Sequence, residues 1–417
     1  MRKPSVVATG GMIDREHVRE ELAREICALP YSRLMEYGLT RASDITGLDT
    51  IGLPVYTVSR PGGEVITVSA GKGLSKIAAK AGAILEGVEL WAGEKPHANV
   101  PWFYLEPARA ISVFPSVLGT DLFPLARGAP VYSSTPIPWE IVTDVFREGE
   151  ILVPSDMIWL THRVIPPFHY FQSSSNGLAA GINYEDALLQ AVYELVERDG
   201  WATSEYLREQ TDIWPDRVSF DCPLTEEIEF CLEALARAGV YPFLFDLSND
   251  MQVPVFGCTV IDPSSRSPGI FSGYGCSLNS STAMRRAITE ACQARVAYIG
   301  SARDDLFRRR FMLTKNIDSR QLLEMYQAVP LSRLASEFPR PEFDSITEEW
   351  EILSNRIRQR GVSECYSKIL YESKEPAFTI VRAISPSLCS PIWEFWQPDE
   401  RCKLHVHNKL ASIKEHA

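Results

Sequence analysis

Residues 173–199, SSSNGLAAGINYEDALLQAVYELVERD, join a Ser/Asn/Gly-rich loop to a helix. At about 100° per residue, Ala187, Ala191, Glu194 and Glu197 fall on one side of that helix. Alanines mark a side that lies close against a neighbour. The acids beside them are therefore not ordinary solvent decoration.

The pattern A-x3-A-x2-E-x2-E recurs at Ala79, Ala83, Glu86 and Glu89, and again at Ala283, Ala287, Glu290 and Gln293 with an amide in the last place. A single Glu-x-x-Glu is common on exposed helices; three copies in phase with alanines are not. An i, i+3 pair puts two carboxylates on one face, and two such helices facing each other would surround one volume with four of them. Burying that much like charge requires cations or strong donors. Hard oxygen ligands suit Mg2+, which binds through a few carboxylates together with a substrate phosphate.

The 417-residue chain is 45% hydrophobic and 23% charged, an ordinary globular composition. A net charge of −12 without a basic block argues against a nucleic-acid partner. Arg308 to Arg310 follow Asp304 and Asp305 and read as a salt-bridged helix end. Nine scattered cysteines without C-x-x-C suggest neither zinc nor a disulfide frame, and fit a reducing compartment. No signal peptide and no apolar run of membrane-spanning length is present, so a soluble, cytoplasmic protein is expected.

Residues 1–39 read as a leader with one amphipathic helix, on which Val18, Leu22 and Ile26 recur before Pro30. The main domain spans 40–417. It opens with a hairpin, Leu53 to Ser59 and Glu64 to Ser69, turning at Pro61-Gly62-Gly63. Gly71-Lys72-Gly73 leads into the first repeat helix with Ser75 as its N-cap, a geometry that suits phosphate. Residues 95–170 read as an irregular cover with short strands at Ile151 to Val153 and Met157 to Leu160. His97, His162 and His169 lie there without metal-ligand spacing. In the 173–181 loop, Asn176 is positioned to hydrogen-bond a ligand. Helix 226–238 and strands 240–247 and 253–261 continue an α/β alternation, and 271–277 feeds the third repeat helix. On that helix Glu290, Gln293 and Arg295 are expected to face the same way, with Arg295 either an anion clamp or a partner for a repeat acid. Helices 319–328 and 346–359 follow, then strands 365–371 and 378–383. His405 and His407 alternate as in a strand.

Four stretches carry a family resemblance: LTRASDITGLDTIGLPV, SAGKGLSKIAAKAGAILEGVELWAGE, the 173–199 segment, and AMRRAITEACQARVAYIGSARDDL, together covering about 39–306. They resemble the YcaO-domain proteins, and ELWAGE resembles in particular the members that stand alone or work with a TfuA-type partner. The resemblance implies an α/β (α+β) fold with antiparallel sheets and pseudo-repeated helices. It implies enzymes that use ATP and Mg2+ to phosphorylate a backbone amide oxygen of a precursor peptide or protein, which then yields an azoline, a thioamide or an amidine. On that basis Glu86, Glu89, Glu194 and Glu197 would hold magnesium. Lys72, Arg198 and Arg295 would offset charge on the transferred group. Ser75, Asn176, Asp186, Glu290 and Gln293 would line the nucleotide site. A homodimer is expected.

Four positions depart from the family pattern. Gly82 and Leu90 stand where a serine and an arginine are usual, and Ile182 and Asp186 replace an asparagine and a glutamate. The proline-rich tail of many azoline-forming members is absent, which favours thioamide or amidine formation. The departures keep open a non-catalytic, peptide-binding or partner-stabilising role. An unrelated Mg-dependent ligase acting on a small molecule is a third reading.

Overall fold

The computed structural model describes residues 15–94, 103–122, 134–160, 170–264, 269–301, 318–389, 398 and 400–416. Three sheets organise them. The first is antiparallel, β1 (Arg41–Asp44), β2 (Val55–Ser59) and β3 (Val68–Lys72). The second runs in the order β11 (Ile270–Cys276), β10 (Val255–Ile261), β9 (Tyr241–Asp246), β8 (Asp216–Ser219) and β12 (Leu331–Leu334), with β8 and β12 parallel. The third runs β4 (Phe103–Leu105), β5 (Ile137–Asp144), β13 (Tyr366–Lys374), β14 (Ala377–Ile384) and β7 (Leu178–Gly181), with β6 (Gly149–Pro154) also paired to β5.

Each sheet ends on a strand that runs directly into a long helix. Strand β3 precedes α3 (Lys76–Glu94), β7 precedes α5 (Tyr184–Thr211) and β11 precedes α7 (Ser280–Gly300). The repeated unit is therefore an edge strand and its helix. All six repeat alanines are fully buried, and what they lie against is glycine. A Cβ on Gly71 of β3 would sit 2.1 Å from the Ala83 nitrogen, one on Gly181 of β7 2.2 Å from the Ala187 nitrogen, and one on Gly275 of β11 2.1 Å from the Ala283 oxygen. Only a strand without a side chain at that point lets the helix backbone come so close.

The other helices are α1 (Arg15–Cys27), α2 (Tyr31–Glu36), α4 (Pro107–Val113), α6 (Glu226–Arg237), α8 (Ser319–Ala328), α9 (Ile346–Gln359) and α10 (Glu400–His416). The leader helix α1 buries Leu22 and Ile26 in the core beneath the third sheet, a core centred on Trp139, Trp159 and Phe378. A second core surrounds α5, and a third holds α6 and α7 against the second sheet through Leu235, Met284 and Phe256.

Four local readings change. The second hairpin strand begins at Val68 instead of Glu64, because the intervening loop wraps a buried ion pair. Arg60 donates to both oxygens of Glu94 (2.5 and 2.6 Å), and Glu94 also takes the Val65 amide (3.0 Å) away from the ladder. Residues 137–142 and 151–160 are largely core, since β5 is a central strand with Trp139 fully buried. Met157 to Leu160 is not a strand: Ser155–Met157 forms a 3-10 turn. The tail around His405 and His407 is α10, so the two side chains diverge, one half-buried and one exposed. His97, His162, His169 and Arg308 to Arg310 lie outside the described residues.

Candidate active site

The three edge strands and their helices converge on the repeat acids. An edge strand presents amides with no ladder partner, and here the glutamates accept from them. Glu86 on α3 accepts from the Ala70 amide of β3 (3.0 Å), and Glu290 on α7 from the Tyr274 amide of β11 (3.4 Å). Glu194 on α5 accepts from the Gly177 amide just before β7 (3.2 Å). Glu89 crosses from α3 to the Ala180 amide of β7 (2.5 Å) and so joins two units. Lys72 at the end of β3 reaches Glu290 at 2.6 Å and joins the first unit to the third. Arg198 sits 3.1 Å from Glu197 and 3.6 Å from Glu194.

The electrostatics follow from this crowding. Burial raises Glu89 well above the ordinary glutamate range, and Glu86 and Glu194 push it further. Burial also raises Glu194, against the pull of Arg198, and lifts Glu197 to about 7. Glu290 goes the other way, because Lys72 and Arg198 outweigh its burial. Burial opposes the charge on Arg198, yet Glu197, Glu194 and Glu290 hold it protonated.

Among the described residues, no three acidic, histidine or cysteine side chains converge tightly enough to enclose an ion as they stand. The donor set nevertheless fits Mg2+. Its ligands are all oxygen, they lie half-buried or buried on α3 and α5, and burial, with neighbouring acids, raises three of them above the ordinary glutamate range. A divalent cation removes that repulsion.

The remaining candidate residues are distributed unevenly. The Ser75 hydroxyl caps α3 through the Ala78 amide (3.2 Å). Asn176 adjoins the Gly177 amide that Glu194 uses, and Gln293 is half-buried one turn beyond Glu290. Arg295 does not share their face. It lies about 140° round α7 from Glu290, and its guanidinium pairs with Asp49 (2.9 Å) and Asp262 (3.0 Å) in a buried anchor between α7, β10 and the loop after β1. Asp186 is held apart as well. It accepts from Arg15 (2.8 Å) and Arg19 (2.6 Å) of α1 and from the Ile182 amide (3.2 Å). Arg15 continues to Glu349 of α9.

One further cation faces this region. Arg382 on β14 is buried and donates through Nε to the Met157 carbonyl (3.0 Å), while its Nη1 has no hydrogen-bond partner among the described residues. Burial lowers it to about 10 against the opposing field of Glu194. Its only sequence signal is an arginine inside an apolar strand, Ala377–Ile384, where charge is rare unless matched.

The description "YcaO cyclodehydratase, ATP- and Mg2+-binding" matches residues 70–389. The chain belongs to the YcaO family. ATP and Mg2+ are thus its cofactors. An uncharacterized protein in the tfuA 3' region of Rhizobium leguminosarum bv. trifolii is 30% identical over 367 residues, 85% of this chain and 84% of that one. An uncharacterized protein of Methanothermobacter thermautotrophicus is 28% identical, over 85% of this chain and 91% of its own. The fold is similar to YcaO from Methanopyrus kandleri bound with AMPPCP and Mg2+ (TM-score 0.69, 20% identity, 91% of this chain and 94% of that one). It is also similar to a heterocyclase in complex with substrate and cofactor (TM-score 0.71, 19% identity, 88% of this chain); this chain spans 52% of that protein's length.

Within the YcaO pattern, the departures have local explanations. A Cβ on Gly82 would meet atoms only at 3.7 Å or beyond, so a serine would fit there. Leu90 and Ile182 pack into the core beneath the third sheet. Asp186 has exchanged the longer acid for two arginines of the leader helix. Among the described residues, no helix is long and apolar enough to cross a membrane.

Proposed function

We propose that this YcaO protein activates a backbone amide of a ribosomally made peptide, or of a protein, for conversion to a thioamide, an amidine or an azoline. The observation that carries the reading is the carboxylate quartet Glu86, Glu89, Glu194 and Glu197, whose burial and crowding with other acids call for bound cations. When bound, Mg2+-ATP supplies the phosphoryl group that turns the amide oxygen into a leaving group. The quartet would hold the ions. Lys72, Arg198 and Arg382 would balance negative charge as it moves toward the amide oxygen, in a site where burial strengthens each contact. Amide oxygens are poor nucleophiles, so alignment must supply much of the rate.

Covalent catalysis by cysteine is disfavoured beside the quartet. Burial and the neighbouring Glu197 push the Cys276 thiol well above its ordinary range, which disfavours the thiolate that a nucleophile needs. The relative in the tfuA 3' region supports a TfuA-type partner. The capture of Asp186 by Arg15 and Arg19 supports a second reading, a YcaO subunit that binds peptide without turning over ATP.

Calorimetric titration with AMPPCP, with and without Mg2+, separates the two readings. Magnesium-dependent binding that is lost in Glu194→Gln is expected. A folded protein that binds no nucleotide at millimolar concentration would transfer the assignment to the non-catalytic subunit.

A further inference from the structure

A cavity of about 500 Å3 opens about one helical turn beyond Glu197, between the second half of α5, the face of the second sheet, and helices α7 and α8. That volume lies within the range of sites that hold small organic groups. Its lining is dominated by rings. Trp201 and Tyr274 stack with centroids 4.4 Å apart and planes 24° from parallel. Opposite them, Trp214 meets Tyr326 edge-on at 4.9 Å, and Phe245 meets Tyr326 at 5.9 Å. Aromatic surface of this extent is ordinarily buried in a core, and where it lines an open cavity it marks a binding site.

The cavity is joined to the acidic site through shared elements. Trp201 is one helical turn beyond Glu197 on α5, and the Arg198 guanidinium lies over its ring at 5.8 Å. Tyr274, the other stacked ring, donates its backbone amide to Glu290. A chain segment whose amide lay against the quartet would thus project the neighbouring side chain onto these rings. Part of the polar lining is already engaged. Thr259 bonds Ser272 at 3.0 Å, and Glu205 pairs with Arg208 at the rim at 2.8 Å. A lining of this kind reads the face of a ring.

We propose that this cavity is the specificity pocket for an aromatic side chain flanking the activated amide of the peptide substrate. The statement rests on the amide-activating reading, and it names the class of peptide that reading leaves open.

The test uses the full chain with N-acetyl-tryptophan amide, N-acetyl-phenylalanine amide and N-acetyl-alanine amide as probes, alongside AMPPCP with Mg2+. Two variants fill the cavity from opposite walls, Ser204→Phe on α5 and Ala294→Phe on α7, each checked for an unchanged circular dichroism spectrum. The aromatic amides should bind the wild type at least tenfold more tightly than the alanine amide. At least one folded variant should lose that preference while its AMPPCP affinity stays within twofold. Equal binding of all three amides to the wild type would overturn the proposal, as would an aromatic preference that survives in both variants. So would loss of AMPPCP binding with the amides unaffected, which would make the cavity a nucleobase site. Selective amide binding by a protein that ignores AMPPCP would leave the pocket standing and remove the ATP-dependent reading instead.

Discussion

Gly71→Ala is expected to separate α3 from β3. The added Cβ would lie 2.1 Å from the Ala83 nitrogen and 2.2 Å from the Ala79 oxygen, where ordinary contact begins at 3.4 Å. The obstacles are backbone atoms of a helix, which cannot swing aside as a side chain can, so the helix must retreat by about 1.3 Å (3.4 minus 2.1). Overpacking of this order costs roughly 1–3 kcal/mol. The same retreat stretches the 3.0 Å bond from the Ala70 amide to Glu86, adding about 1 kcal/mol. Reduced freedom of the unfolded chain returns about 0.4–1 kcal/mol. The net expectation is about 1–3.6 kcal/mol, read as a lower urea midpoint at unchanged slope. AMPPCP affinity should fall with it, because Glu86 moves with the helix. Gly82→Ser on the same helix is the matched control, with free space at its Cβ and an expected change within about 0.5 kcal/mol. A Gly71→Ala protein as stable as the wild type, or a Gly82→Ser protein equally damaged, would refute the close-approach argument.

Glu194→Gln removes one like charge from the quartet, so the metal-free protein should keep or gain stability while Mg2+-dependent AMPPCP binding falls at least tenfold; calorimetry and urea unfolding measured together check both. Arg382→Met exchanges a buried, incompletely bonded guanidinium for an apolar chain of similar volume. It should be near neutral for stability and should weaken AMPPCP binding about tenfold, whereas unchanged affinity would exclude Arg382 from the site. Asp186 is buried, which raises its pKa, but Arg19 and Arg15 overcome this and lower it. Its contribution is therefore complete above the unfolded aspartate value of about 4 and disappears as pH falls through the lower folded value. Asp186→Asn should cost about 1–3 kcal/mol at pH 7, reduced from the fully buried case because both arginines are partly exposed. It should also flatten the loss of stability between pH 5 and 2; a parallel pH profile in wild type and variant would contradict the pairing.

The repeat helices were legible because their pattern is local. Ala187, Ala191, Glu194 and Glu197 lie within three turns of one helix, and phase alone puts small and acidic residues side by side. The strand half of each unit was not legible. Gly71 and Gly181 read as loop residues and Gly275 went unremarked in the 271–277 stretch, and their purpose is visible only with the helix backbone against them. Distance along the chain hid other pairings. Asp186 meets Arg15 from 171 positions away, and Arg382 approaches Glu194 only because β14 pairs with β7. The reading of Arg295 failed on angle: a five-residue step takes a side chain nearly to the opposite side of a helix, where Asp49 and Asp262 were waiting. Strand β5 was missed because prolines and aromatics on either side of it look irregular, and because, buried over four successive residues around Trp139, it lacks the alternation that marks a strand.

The three strand–helix units are alike in backbone but not in charge. The third carries Gln293 where the others carry an acid, and its one glutamate is already engaged by Lys72. Negative potential therefore collects between α3 and α5 and fades toward α7, giving a nearly symmetric scaffold an electrical head and tail. A polyphosphate screened by metal ions meets two unequal ends in such a field. In the proposed site, such a gradient would bias the orientation of the polyphosphate and the direction in which its terminal phosphoryl group points.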